Sequence, residues 1–132
     1  AILQFLANGS PLWPDDKWEQ AQVLRWMFFE QYLHEPCVAV ARFIVRYLER
    51  PAEHEARLQA KLAEAGEVLG VMERHLQTRA FFVGERYTIA DICLYAYTHV
   101  AHEGLIDLSP YPAINAWLQR VASQPGYVGM EG

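Results

Sequence analysis

Residues 87–94, Tyr-Thr-Ile-Ala-Asp-Ile-Cys-Leu, constrain this chain more than any other stretch. Thr88 is a favourable helix N-cap, with a hydroxyl able to accept the backbone N–H of Asp91. Asp91 stands three residues on, so its carboxylate can reach back to the N–H of Thr88. The pair forms a capping box with Asp in place of the usual Glu. Tyr87 before the cap and Ile92 behind it have the spacing of a hydrophobic staple. A cap of this kind contributes roughly 1 kcal/mol. The residues that follow, 92–100, are almost all apolar. A helix that is apolar on nearly every side belongs in the middle of a bundle. The box therefore predicts a central helix from Asp91 to about Glu103, closed by Gly104. It also commits Thr88 and Asp91 to a structural role.

The other segments read as helices that surround this one. Asp16 is an N-cap for residues 17–34, and Glu19 three residues later suggests a second capping box. Within that helix Val23–Phe29 is apolar on more than one face. The surplus either buries the helix centrally or gives a second face to a dimer mate or ligand cleft. Pro36 has no N–H and clashes with the preceding turn, so it kinks or restarts the helix. The continuation from Cys37 to Glu49 carries Arg42, Arg46 and Arg50 every four residues. This stripe is a solvated basic face or, alternatively, an anion site.

Residues 53–77 hold the cleanest period: Leu58, Leu62, Ala65, Leu69, Met72 and Leu76 alternate steps of four and three. Gly66 and Gly70 each cost about 1 kcal/mol relative to Ala inside a helix, so a close helix–helix approach is expected there. Phe81 and Phe82 are expected to pack under the loop that precedes Thr88. Pro112 suits a first helical position, and Ile114, Trp117, Leu118 and Val121 form the apolar stripe of a last helix. No segment alternates with a period of two. The expected fold class is all-α, a bundle of about five helices preceded by a helix fragment.

Composition narrows the function. A net charge of −5 with no basic run argues against nucleic acid as the main partner. No window reaches the ~18 apolar residues of a membrane span, and no signal peptide is visible. Cys37 and Cys93 have no CxxC partner and sit in apolar runs, as reduced, inert thiols of a cytoplasmic protein do. His34, His54, His75, His99 and His102 lack metal-ligand spacing with a third ligand, so no metal site is expected. There is no phosphate loop or nucleophile elbow, and no catalytic residue is assigned.

Several of these motifs occur together in one known family. Phe82-Val83-Gly84 followed by Tyr87-Thr88-Ile89-Ala90-Asp91-Ile92 resembles the start of the central helix in the C-terminal helical domain of glutathione S-transferases. Tyr111-Pro112-Ala113-Ile114 with Trp117-Leu118 and Pro125 resembles that family's next helix. Ala1-Ile2-Leu3 with Phe5-Leu6-Ala7 resembles the segment before its domain linker.

The resemblance implies an organisation and a function. Residues 1–8 would be the tail of a helix from an N-terminal thioredoxin-like domain, 9–16 the linker, and 17–132 the helical domain. The chain starts at Ala1 inside a helical pattern, as a piece of a longer protein would. The Glu/Gln-Ser pair that holds the glutamyl end of glutathione would stand just upstream of Ala1. The implied function is conjugation of glutathione to electrophilic small molecules by a homodimer. The thiolate would be held on the absent domain, and no cofactor would be bound by this one. By the same resemblance Phe29, Leu33, His34 and Val100 would line the electrophile's pocket. Leu33-His34 resembles a Leu-His pair of the bacterial beta class, where Lys follows and this chain has Glu35. Val100 falls where that class has a tryptophan. The alternative is a non-catalytic interaction module, since the same helical domain is appended to translation factors and synthetases.

Overall fold

The Thr88–Asp91 box forms, and it opens the helix around which the others gather. The computed structural model describes residues 1–129. The last three residues of the expected helical domain, Met130, Glu131 and Gly132, lie outside the described residues. Among the described residues six α-helices follow in order: α1 (Ile2–Ala7), α2 (Lys17–Phe29), α3 (Glu35–Arg42), α4 (Glu55–Leu76), α5 (Ile89–Thr98) and α6 (Pro112–Ala122). Among the described residues there is no strand, only an isolated bridge between Val83 and Arg86. The all-α expectation, five helices behind a leading one, describes the molecule.

α5 begins as its sequence dictates. The Asp91 carboxylate accepts the Thr88 N–H at 2.9 Å, and the Thr88 hydroxyl accepts the Ala90 N–H at 3.3 Å. The linker docks on the same end, with the Leu12 carbonyl accepting the Ile89 N–H at 3.1 Å. Ile89, Ala90, Asp91, Leu94 and Thr98 are buried, and α5 packs against α1, α2, α3 and α6. The helix is shorter than expected. It stops at Thr98, and a 3₁₀ turn over Ala101–Gly104 replaces its last part.

Gly104 is not the helix stop that its position suggested. Leu105 takes the left-handed conformation, at φ 63°. Gly104 is instead needed for close approach, since a Cβ there would lie 2.7 Å from the Arg42 backbone nitrogen.

Pro36 restarts the helix without breaking the rod. Glu30–His34 widens into a π-helical turn, in which the Glu35 N–H reaches back to the Glu30 carbonyl. Pro36 then falls in the first turn of α3, where its missing N–H is least costly. A second π turn, Phe43–Tyr47, ends the rod. Each π turn shifts the register of the faces, so the arginine stripe does not form. Arg42 is half-buried and bonds Glu103 at 2.7 Å, Arg46 is exposed, and Arg50 pairs with Glu55 at 3.0 Å.

The α4 stripe is buried as its period predicts: Leu58, Ala65, Leu69, Met72 and Leu76 are inside, with Leu62 at the edge. The expected close approach at its glycines is absent. A Cβ on Gly66 would find only the Tyr111 hydroxyl at 3.9 Å, and one on Gly70 only the Arg74 side chain at 3.5 Å. α6 has no side-chain cap of its own. Glu73 of α4 supplies one, its buried carboxylate accepting the N–H groups of Ala113 at 3.0 Å and Ile114 at 2.9 Å. The second capping box on α2 is half made. Asp16 accepts the Glu19 N–H at 2.9 Å, but the Glu19 carboxylate is turned to Arg86.

Candidate functional site

The second half of α2 and the π turn after it carry the site candidates. Phe29 is half-buried, edge-on to Trp26 with ring centroids 5.1 Å apart. Leu33 stands outward, 47% exposed. His34 points the other way and is fully buried. Val100, just after α5, is buried at 8% exposure. The four differ in exposure: Leu33 presents apolar surface, Phe29 is half-buried, Val100 is nearly covered, and His34 is part of the interior.

His34 bridges two helices. Its Nε2 lies 2.9 Å from the Thr98 hydroxyl, which donates its own proton to the Leu94 carbonyl at 2.6 Å. With the Thr98 proton so used, Nε2 must carry the imidazole proton and donate it. Nδ1 is then a bare acceptor, buried and without a partner. Burial lowers the imidazole pKa to about 4, so His34 is neutral at pH 7.

Neither cysteine thiol lies in a setting that lowers its pKa. Cys37 is buried, its thiol donating to the Leu33 carbonyl at 3.1 Å, and burial pushes its pKa up. The Cys93 thiol donates to Glu30 at 3.4 Å, and burial with the nearby carboxylate pushes it up to about 12. Both stay as thiols at neutral pH. Among the described residues no group of three His, Cys, Asp or Glu side chains is arranged to hold a metal ion.

Glu30 is the residue that sequence reasoning missed. It is buried in the π turn, at 7% exposure, and burial raises its pKa. It borders a concavity of about 450 Å³ between α1 and α2, together with Ala1, Ile2, Leu3, Phe28 and Cys93. A signal was present: Val23, Trp26 and Glu30 follow steps of three and four, which places an acidic group on the core stripe. Ile2, Phe5 and Leu6 of α1 are 77%, 81% and 70% exposed, and Phe28 and Tyr32 are 68% and 83% exposed. Exposed apolar surface that is contiguous and of this extent marks interaction sites in general.

A helical domain of this topology, with an Asp-capped central helix, matches one family model: glutathione S-transferase, C-terminal domain, over residues 37–125. The chain belongs to that family. It is similar to a solved glutathione S-transferase from Pseudomonas fluorescens, with 51% identity and a TM-score of 0.97 over 99% of this chain and 65% of that one. A glutathione transferase family member from Pseudomonas fluorescens, solved with two glutathione bound, is 27% identical with a TM-score of 0.84, over 94% of this chain and 57% of that one. Elongation factor 1-gamma-B of Xenopus laevis is 30% identical over 138 residues, which cover 100% of this chain and 30% of that protein. The chain thus spans about a third of that relative and under two thirds of the two transferases. Among the described residues no helix is long and apolar enough to cross a membrane.

Proposed function

We propose that this chain is the electrophile-side domain of a cytoplasmic glutathione transferase. The thiolate-stabilising residue stands on a thioredoxin-like domain upstream of Ala1. Residues 1–8 close that domain, 9–16 link it, and 17–132 form the helical domain. The observation that carries this reading is the bare apolar surface of α1, where Ile2, Phe5 and Leu6 are each at least 70% exposed. It supports a domain packed over α1, as the family's two-domain arrangement requires. The 51% identity to a glutathione S-transferase supports the chemistry.

In this reading glutathione is held mainly on the upstream domain and attacks through its sulfur. The helical domain orients the electrophile and keeps water away from it. Leu33 forms the exposed part of the wall, with Phe29 beside it. Val100 and His34 support the wall from within, and His34 fixes the π turn to α5 through Thr98. Phe28 and Tyr32 offer the apolar surface for a second copy in a homodimer.

The test is conjugation of glutathione to a chloronitrobenzene by the complete chain and by the helical domain alone. Turnover is expected from the complete chain and none from the isolated domain. Turnover by the isolated domain, or inactivity of the complete chain with every electrophile tried, contradicts the proposal.

The relationship to elongation factor 1-gamma-B favours one second reading, a non-catalytic assembly module. That reading expects the complete chain to bind another protein through the α1 and α2 surface and to leave glutathione unconsumed.

A further inference from the structure

The first half of α2, the end of α4 and the loop before α5 enclose a pocket of about 480 Å³, within the size range of small-molecule sites. Its floor is aromatic. Trp26 and Phe82 are buried with ring centroids 4.6 Å apart, and His75 stacks on Phe82 at 5.5 Å. Trp18, Gln22 and Arg25 follow steps of four and three, so one face of α2 brings them to the lining together. Trp18 is 72% exposed. Arg79, just past α4, joins them. The pocket shares no lining residue with Phe29, Leu33, His34 and Val100.

The acids of this pocket are engaged, and its guanidinium groups have no acidic partner. Glu19 pairs with Arg86, which is outside the lining. Gly84 permits this: at φ 61° it has no Cβ where the Glu19 carboxylate lies. Glu85 accepts the Ala80 N–H at 3.2 Å. None of the ion pairs among the described residues involves Arg25 or Arg79. The Arg25 guanidinium lies 5.3 Å from the centroid of the Trp26 ring. Arg79 donates only to neutral groups, the His75 carbonyl and the Thr78 hydroxyl, each at 3.3 Å. His75 Nε2 lies 2.9 Å from the Phe82 carbonyl, so that nitrogen carries the imidazole proton. Burial and the charges of Arg79 and Arg25 lower the His75 pKa, against the Phe82 hydrogen bond and the Glu85 charge, which raise it. Both cations thus act on one ring, in a chain whose net charge is −5.

We propose that this pocket binds a phosphate monoester joined to a flat ring, of the mononucleotide kind, with the phosphate on Arg25 and Arg79 and the ring stacked on Trp18. Two guanidinium forks match the oxygens and charge of a dianion, where a single carboxylate would fill only one fork. A stacked base covers the Trp18 ring, and such stacking is sequence-tolerant and strong enough to fix one end of a ligand. The net charge tells against a nucleic-acid strand, and the size of the pocket against anything larger than a small molecule. The site does not depend on the glutathione reading.

The experiment is calorimetric titration of the complete chain with adenosine monophosphate, adenosine and inorganic phosphate, unaltered and as Arg25→Gln, Arg79→Gln and Trp18→Ala. All three side chains are exposed, so the variants keep the fold. The nucleotide is expected to bind about tenfold or more tighter than adenosine or phosphate. Each arginine variant is expected to lower nucleotide affinity about tenfold and to leave adenosine unchanged. Trp18→Ala is expected to weaken nucleotide and adenosine about fivefold or more and to leave phosphate unchanged. The His75 ring signals in NMR should titrate at a higher pH with nucleotide bound, because the phosphate offsets Arg25 and Arg79. Nucleotide and adenosine bound alike overturn the proposal, and so does a nucleotide preference that survives both arginine variants. Phosphate bound as tightly as the nucleotide, with no effect of Trp18→Ala, overturns it too. Binding of no probe also overturns it. An acidic side chain of a second copy as the true occupant appears as a dimer that dissociates in Arg25→Gln while the unaltered chain binds no nucleotide, and this result overturns it as well.

Discussion

The Trp117 indole N–H donates to the Asp91 carboxylate at 3.0 Å, across 26 residues of sequence. The same oxygen accepts the Phe82 N–H at 3.1 Å, while the other accepts from Thr88. One buried carboxylate thus starts α5, holds the loop before it and anchors α6. Trp117→Phe keeps an aromatic ring there but removes the donor and part of the buried indole. Urea denaturation is expected to show a loss of about 1–2 kcal/mol. Asp91→Ala leaves several buried donors unpaired and is expected to cost about 3 kcal/mol or more. An Asp91→Ala protein as stable as the parent would show that the carboxylate is not the joint described.

The cap that Glu73 lends to α6 makes a second prediction. Glu73→Ala frees the N–H groups of Ala113 and Ile114. A loss of about 1–2 kcal/mol is expected. Amide exchange should speed up first at Ala113 and Ile114, and a uniform change across the chain would argue against a local cap.

The glycines divide by what surrounds them. Gly66 and Gly70 lie inside α4 with room for a methyl group, so Gly66→Ala and Gly70→Ala should each stabilise by about 0.5–1 kcal/mol. Gly104→Ala drives a Cβ into the Arg42 backbone and should destabilise. Thermal melts of the three variants check both signs.

His34 sets an acid limit on stability. Its pKa is lowered from 6.5 to about 4 on folding, so the unfolded chain takes up the proton first as pH falls. Its contribution is intact above pH 6.5 and is lost as pH falls from there towards 4. The loss reaches ~3 kcal/mol, at 1.36 kcal/mol per pKa unit. Urea denaturation of the parent and of His34→Gln between pH 7 and 4 measures it. The stability difference between them should shrink as pH falls, and a constant difference refutes the assignment.

Much of the architecture was legible because local signals agreed with the fold. The Thr88–Asp91 box, the α4 stripe and Pro112 each act within a few residues, where spacing determines contact. What was not legible depends on long-range partners or on register. Trp117 and Glu73 find their partners 26 and 40 or more residues away. The π turns at Glu30–His34 and Phe43–Tyr47 rotate the faces that a regular helix would show. They bury His34, expose Leu33 and scatter the arginines. Glu30 was legible as an acidic residue on an apolar stripe, but its lack of a counter-charge is visible only once the helices pack.

The central claim is that this domain shapes the pocket of the electrophile while glutathione is held mainly elsewhere. Steady-state kinetics of the complete chain with Leu33→Ala, varying each substrate in turn, tests it most directly. The account predicts a KM for the electrophile raised by about 5-fold or more, in keeping with one apolar side chain removed from a pocket, and a KM for glutathione that does not move. An unchanged KM for the electrophile, or equal rises for both substrates, contradicts it.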